Sequence, residues 1–354
     1  MEHFDQASLD RSTGIVDMGP GNRLDGIAAK LQGSGWTFVR DRIGNTGSAS
    51  SVLEYEIVFA NGTIGYVSND NHPDLFVVLK GGGNNFGIVT NYKLQARRQG
   101  DIWGWQPVPD WTEYNEDDKA AVIVTAERAN INIVDSWIIF VFYDGPTPPA
   151  GLFRNFTDVN LLLDTTRTRT YADLMALSNW VVIKGNVVDI ATETIPLPST
   201  ANAVEVMEGL HDHWHNVSGT TLLVPGIVAS IAWQPFPKKI AQKARELSLD
   251  LIDAEADVGR VVIEMNYAFT PQSLYEQMAD TMEATYSGVR NRVLAWQAEG
   301  KLPEAYRPVF MNYGFFRQDY FGRLRPESRA SAKRIADAVD PGGLFKSRTG
   351  GWKP

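Results

Sequence analysis

The sequence predicts an α+β fold in two units: a small mixed unit, then a larger one whose single antiparallel sheet is covered on one face by helices. Three observations carry that prediction. In VLEYEIVFANGTIGYV (52 to 67), Asn61-Gly62 lies between two β-branched and aromatic runs, a hairpin pattern in which a type I′ turn needs positive φ at both central residues. Strand-like runs recur at 136 to 144, 180 to 190, 226 to 234 and 261 to 269. Helical runs at 201 to 215, 237 to 254 and 271 to 299 lie between and after them, and strands and helices at that spacing favour one antiparallel sheet with helices on one side.

The elements follow in order. STGIVDMGP (12 to 20) reads as a short strand ending in a Gly-Pro-Gly turn, and Arg23 to Gln32 as a helix stopped at Gly33. A strand from Trp36 to Val39 leads into the polar loop Asp41 to Ser51, and the hairpin comes next. Asn71 can cap a helix with Pro73 in its first turn, running to Gly81, after which FGIVTNYKL returns as a strand. A linker rich in Trp and Pro, WGWQPVPDWTEY (103 to 114), precedes the second unit. The tail carries one more helix, Pro326 to Val339, ended by Asp340-Pro341-Gly342-Gly343, and no internal repeat is visible.

Composition narrows the function. The 354 residues are 44% hydrophobic and 21% charged, an ordinary globular balance. A net charge of -9, from 42 Asp+Glu against 33 Lys+Arg, argues against nucleic acid or an anionic membrane surface as the main partner. With no cysteine, disulfides, thiolate metal sites, thiol nucleophiles and cysteinyl-cofactor bonds are all excluded. No apolar run reaches about 18 residues, and Met1-Glu2-His3-Phe4-Asp5 lacks the basic and apolar regions of a secretory signal, so a cytoplasmic protein is expected. The triplets at Asn61, Asn155 and Asn216 match the glycosylation pattern at a frequency that chance supplies.

Lys80-Gly81-Gly82-Gly83-Asn84-Asn85-Phe86-Gly87 follows a helix and precedes a strand. Consecutive glycines let the backbone approach a flat or anionic ligand; the plainer reading is a helix end followed by a tight turn. The longer string GGGNNFGIVT resembles a segment of the FAD-linked oxidases of the vanillyl-alcohol-oxidase (PCMH) type, in their berberine-bridge-like branch. DMGPGNRLDGIAAKLQGSGWTFV, VLEYEIVFANGTIGYVS, HPDLFVVLKGGGNNFG and QGDIWGW keep that family's order, and SIAWQPFPKKI (230 to 240), FMNYGFFRQDYFG (310 to 322) and DPGGLFKSRTGGWK (340 to 353) are similar to its later signatures. The resemblance covers nearly all of the chain. It implies a reduced FAD-binding (PCMH-like) subdomain over 1–102, a substrate domain over 103–309, and a C-terminal segment, 310–354, that returns to the first domain.

The departures from that family shape the cofactor expectation. Its members begin with a flavin-binding subdomain whose Gly-Gly-His loop holds the pyrophosphate. No such segment precedes Ser12, His3 has no glycine loop around it, and the chain passes from Arg42-Ile43-Gly44 through Asn45-Thr46-Gly47-Ser48 almost directly to the Val52 strand. FAD needs many backbone donors and a preformed cavity, so no cofactor is expected, with FAD as the alternative. Gly81, Gly82, Gly83, Asn85, Phe86 and Gly87 are the residues that would hold it.

The remaining motifs concern substrate and metal. In VVIEMNYAF, alternation puts Val261, Ile263, Met265, Tyr267 and Phe269 on one face and Glu264 and Asn266 on the other. The resemblance makes that second face the floor of the substrate cavity. The neighbouring run GIVASIAWQ places Ser230 and Gln234 on one face and Trp233 on the other. Glu264 is either a surface carboxylate or, in an apolar cavity, an acid or base of raised pKa. Glu264, Asn266 and Gln234 are the candidate catalytic residues; Ser230, Asn312, Tyr313 and Trp105 are the candidate pocket residues, although core packing suits Trp103 and Trp105 as well. His211 and His215 share a helix face without an evident third metal ligand, so a solvated helix end is the better reading and no metal is expected.

The function expected on this basis is a natural-product enzyme, descended from such an oxidase, that catalyses a non-redox cyclisation, cycloaddition or isomerisation of a small molecule. The alternatives are an FAD-dependent oxidoreductase with noncovalent flavin and a non-catalytic partner of a full-length homologue. A trimmed flavin domain should also expose apolar faces on the hairpin and on helix 73 to 80, so self-association or a repacked N-terminus is expected.

Overall fold

A computed structural model describes residues 3–38, 52–104, 117–129, 133–157, 163–178, 185–247, 249–252 and 258–354. The first unit comprises β1 (Ala7–Asp10), β2 (Ile15–Met18), α1 (Leu24–Leu31), β3 (Trp36–Thr37), β4 (Val52–Val58), β5 (Ile64–Ser68), α2 (Pro73–Leu79), β6 (Ile88–Gln95) and β7 (Arg97–Arg98). Five of its strands form an antiparallel sheet in the order β1-β2-β6-β4-β5. The polar loop after Trp36, including Arg42 to Ser48, lies outside the described residues.

The hairpin forms where expected, but with a different turn. Gly62 N donates to Phe59 O and Phe59 N to Thr63 O, so the tight turn is centred on Ala60-Asn61 and Gly62 follows it at φ 82°. That is a three-residue loop with a left-handed glycine, stabilised by Asn61 Oδ1 accepting from Thr63 N. Asn71 does not cap α2. His72 precedes the helix, while Asn71 uses its side chain on Ser68 N and Tyr66 O.

The second unit contains β8 (Ile102–Gly104), β9 (Ala120–Ala129), β10 (Val134–Tyr143), α3 (Arg154–Thr157), β11 (Arg167–Arg169), α4 (Tyr171–Ser178), β12 (Val187–Pro196), α5 (Ala203–Gly219), β13 (Val228–Phe236), α6 (Lys238–Leu247), β14 (Arg260–Phe269) and α7 (Tyr275–Ala298). A seven-stranded sheet in the order β11-β8-β10-β9-β13-β14-β12 pairs antiparallel throughout. Three expectations shift here. The strand sought at 180 to 190 is β12, displaced toward the C-terminus behind Gly185 at φ 97°. The helix sought at 237 to 254 ends at Leu247. Strand β9 has no counterpart in the sequence reading, which passed over the β-branched run Val122-Ile123-Val124-Thr125 set among alanines.

Alternation in β14 decides how the layers stack. Val261, Ile263, Met265, Tyr267 and Phe269 are fully buried against Val206, Leu210 and Trp214 of α5 and Met278, Met282, Val289 and Val293 of α7. Each such side chain contributes about 1.5–3 kcal/mol by leaving water. The helices cover that face, and the polar parity of β14 lies on the other.

The tail, with α8 (Pro326–Val339) and α9 (Leu344–Arg348), folds back on the first unit. Val309, Tyr320, Phe321, Ala332 and Ile335 share a core with Ile27 of α1, Phe76 of α2 and Ile57 of β4. This corrects the expectation of a bare helix 73 to 80, whose Leu75, Phe76 and Val78 are buried. The outward face of the hairpin is also mainly polar: Glu54 pairs with Lys93 at 2.7 Å, and Glu56 accepts from Thr90 and Tyr66. Exposed apolar side chains remain at Leu53, Ile64 and Ile88. Among the described residues no helix is long and apolar enough to cross a membrane.

Candidate active site

Register fixes which side chains share the face of the large sheet opposite α5 and α7. Glu264 stands opposite Thr192 on β12 and Ala232 on β13, and Ala232 in turn faces Thr125 on β9. The next row runs Ile190, Asn266, Ser230, Glu127 and Ser136. The row on the other side of Glu264 holds Thr194, Val262 and Gln234. Three of the sequence candidates, Glu264, Asn266 and Ser230, therefore meet Gln234 on one surface, while Trp233 turns to the helix side and is buried.

Glu264 is 6% exposed, and Gln234 Nε2 donates to its Oε2 at 2.8 Å. Tyr313 OH lies 3.5 Å from Gln234 Oε1, the limit of a hydrogen bond. Tyr313 sits on the single helical turn 311–313, and its ring meets Phe310 edge-on with centroids 5.1 Å apart. Phe310 lines a cavity of about 140 Å³ with Val262, Thr194, Phe236, Leu249 and Ile252. Alternate residues of β14 thus put an apolar cavity on one side of a buried carboxylate.

Two polar residues on this face were not among the sequence candidates. Glu127 is half-buried on β9, burial raises its carboxyl pKa, and it has no hydrogen-bond or ion-pair partner among the described residues. Thr125 is buried and its Oγ1 has no partner among the described residues. Both follow from β9, so a reading that missed the strand missed them. Of the other candidates, Asn312 is exposed, and Trp105 lies outside the described residues. Trp103 belongs to β8 and stacks on Phe153 with centroids 5.5 Å apart.

The glycine loop is more closed than its composition suggests. A Cβ at Gly82 would stand 2.2 Å from the Phe86 ring and from Val78 O, and one at Gly87 2.4 Å from Ile57. Phe86 is fully buried. Those three residues therefore serve internal packing and do not face a ligand. Gly81 is held from behind, its carbonyl accepting from Tyr320 OH at 2.5 Å. Asn85 Nδ2 donates to Gly82 O and to Trp352 O, which ties the loop to the tail.

A cleft of about 420 Å³ opens beside Asn85, lined also by Gly342, Gly343, Lys346 and Lys353. Lys353 Nζ donates to Asn85 Oδ1, Thr349 Oγ1 and Gly350 O, all neutral acceptors, and burial lowers its pKa. An ammonium held by neutral oxygens keeps its charge available to an anion. Asp337 and Asp340 also line the cleft but are engaged within the chain, by Lys333 Nζ and by the Leu344 and Phe345 amides, which leaves Lys346 and Lys353 to meet an anion such as the diphosphate of FAD, whereas Gly82, Phe86 and Gly87 offer no cradle for its ring.

The histidines of α5 are structural. His215 Nε2 lies 3.0 Å from Asp135 Oδ2, His211 stacks on Trp137 with centroids 5.0 Å apart, and His213 Nε2 lies 3.0 Å from Thr285 O. No group of three side chains that could hold a metal exists among the described residues.

No family model matches the chain. An uncharacterized FAD-linked oxidoreductase of Arthroderma benhamiae is 30% identical over 382 residues, covering 98% of this chain and 76% of the relative. Among solved structures, xylooligosaccharide oxidase from Myceliophthora thermophila C1, in complex with xylobiose, superposes with a TM-score of 0.73 at 15% identity, over 97% of this chain and 79% of that one. A variant of berberine bridge enzyme does so with a TM-score of 0.71 at 11% identity, over 98% and 79%. The two structures share the fold, and the fungal relative, matched along almost all of this sequence, gives the lineage: the chain belongs to the family of FAD-linked oxidoreductases with the berberine-bridge-type fold.

Proposed function

We propose that the chain is an FAD-dependent oxidoreductase acting on a small organic molecule bound on the face of the seven-stranded sheet opposite α5 and α7. The observation that carries this reading is Glu264: a buried carboxylate, oriented by Gln234, one row along the sheet from Val262 and Thr194, which line an apolar cavity. Oxidation of a C–H bond next to a hydroxyl or amine also removes a proton, and in this reading Glu264 takes it. Gln234 fixes the carboxylate by donating to one of its oxygens, and its own carbonyl faces the Tyr313 hydroxyl. A proton-transfer group so held contributes typically 10²–10⁴-fold. The cavity beside Val262 and Phe310 orients the apolar part of the substrate and keeps water from it.

Lys346 and Lys353 would hold the cofactor's diphosphate. Bound FAD supplies the two-electron acceptor that the side chains of this protein lack. A second reading, a flavin-free enzyme catalysing a cyclisation, cycloaddition or isomerisation in the same pocket, is supported by the internal packing of Gly82 and Gly87. One experiment separates them. After incubation with FAD and desalting, the protein should keep flavin absorbance, Lys353→Glu should lower the retained fraction, and an oxidisable substrate should bleach the flavin anaerobically far more slowly in Glu264→Gln. A colourless protein after desalting overturns the redox reading and favours the second.

A further inference from the structure

The face of the sheet opposite α5 and α7 has two chemically different ends, to either side of Glu264, with α6 walling the first. At one end, the cavity beside Val262 and Phe310 is apolar and of about 140 Å³, a size that holds a single six-membered ring. At the other, Glu127, Thr125, Ser230 and Asn266 lie on three neighbouring strands. Their side chains make no hydrogen bond among the described residues. From Gln234 to Ser230 is four residues along β13, about 13 Å at 3.3 Å per residue.

Such a group of polar side chains, half-buried or deeper and without partners among the described residues, is costly unless something else satisfies it. The chemistry of the set selects what that is. Glu127, as a carboxylate, only accepts; Ser230, Thr125 and Asn266 both donate and accept. A hydroxyl matches them because it donates to the carboxylate and accepts from a neighbour. An ammonium would satisfy Glu127 and leave the donors unmatched, and a carboxylate would face both Glu127 and Glu264. Resting on the assignment of this face as the substrate surface, we infer that the substrate is an amphipathic molecule whose apolar end sits beside Val262 and Phe310 and whose hydroxyl-bearing end is held by Glu127, Ser230 and Asn266, about 13 Å apart along β13.

The test is calorimetric titration of the full chain with three probes: 6-phenylhexan-1-ol, its methyl ether and 6-phenylhexylamine. The alcohol should bind about tenfold more tightly than the ether, which keeps the shape and loses the donor hydrogen. Glu127→Leu should shrink that preference to about threefold or less, and Ser230→Ala, with minimal change of volume, should narrow it if Glu127→Leu folds poorly. Val262→Trp should weaken binding of all three by filling the cavity. Equal binding of alcohol and ether, or a preference for the amine over the alcohol, overturns the hydroxyl end and leaves the cavity standing. If Val262→Trp leaves binding unchanged, or no probe binds, the cavity itself is not the site, and the functional proposal fails with the inference.

Discussion

Replacing Gln318 by leucine tests how the tail holds the edge of the seven-stranded sheet. β12 is the last strand of that sheet, so half of its backbone groups face outward without a strand partner. Gln318, 7% exposed, supplies one: its Nε2 donates to Thr192 O at 2.7 Å, and its Oε1 accepts from Phe315 N at 2.9 Å and from Thr192 N at 3.4 Å. The primary amide thereby imitates one residue of a neighbouring strand, directly across from Glu264, which pairs with Thr192 on the other side. Gln318 O also accepts from Trp352 Nε1, and Trp352 O from Asn85, so the same residue joins the sheet edge to the glycine loop. Leucine keeps most of the volume and removes the polar atoms. Two well-formed bonds are lost with their partners left buried, at about 1–3 kcal/mol each, and the long third adds little. A loss of about 3 kcal/mol is expected, read from the midpoint of urea unfolding at unchanged slope. Hydrogen exchange at the Thr192 and Phe315 amides should accelerate beyond what the global loss explains. A loss below about 0.5 kcal/mol, with unaltered exchange at Thr192, would refute the edge-strand argument.

Other substitutions probe separate parts of the molecule. Burial raises the Asp189 pKa from 3.8 to about 6, against the opposing pull of Arg317. Its ionised form therefore opposes folding, and stability falls as pH rises from the unfolded value through about 6. Asp189→Asn should stabilise by about 1 kcal/mol at neutral pH, discounted for solvent screening near Arg317, and leave stability unchanged below the unfolded pKa; melts at two pH values decide it. Glu193 is fully buried and paired with Arg323 at 2.5 Å, so Arg323→Met should cost about 3–5 kcal/mol while the pair Glu193→Gln with Arg323→Met costs less, as chemical denaturation would show. A Cβ on Gly288 would stand 2.1 Å from His213 Nε2; Gly288→Ala should destabilise by about 1–3 kcal/mol, with most of the loss absent in a His213→Ala background. On any substrate that bleaches bound flavin, Glu264→Gln should slow the reaction by roughly tenfold to a thousandfold, and an unchanged rate would remove Glu264 from the chemistry.

Local physics alone determined a good part of this protein. Five apolar residues at every second position of β14 claim the helix side, so Glu264 and Asn266 must share the other, whatever the rest of the chain does. Pro326 and the Asp340-Pro341-Gly342-Gly343 stop bracket α8 to the residue, because proline suits a first helical turn and the glycines release the last. The family signatures were equally legible, being contiguous strings. What only the tertiary structure decided depends on partners far along the chain. The β-branched run of β9 favours an extended chain, but that it lies between β10 and β13, whose ladders satisfy its backbone, is set by the fold. Glu127 and Thr125 reach the face of Glu264 only as a consequence. The glycines at 82 and 87 read as an open cradle in sequence, yet the Phe86 ring and Ile57 take up the space their missing Cβ atoms leave. Periodicity says which side of an element is apolar. Which strand lies beside it, and so which polar groups are brought together without partners, is set by hydrogen-bond ladders and cores that close over a hundred residues or more of intervening chain.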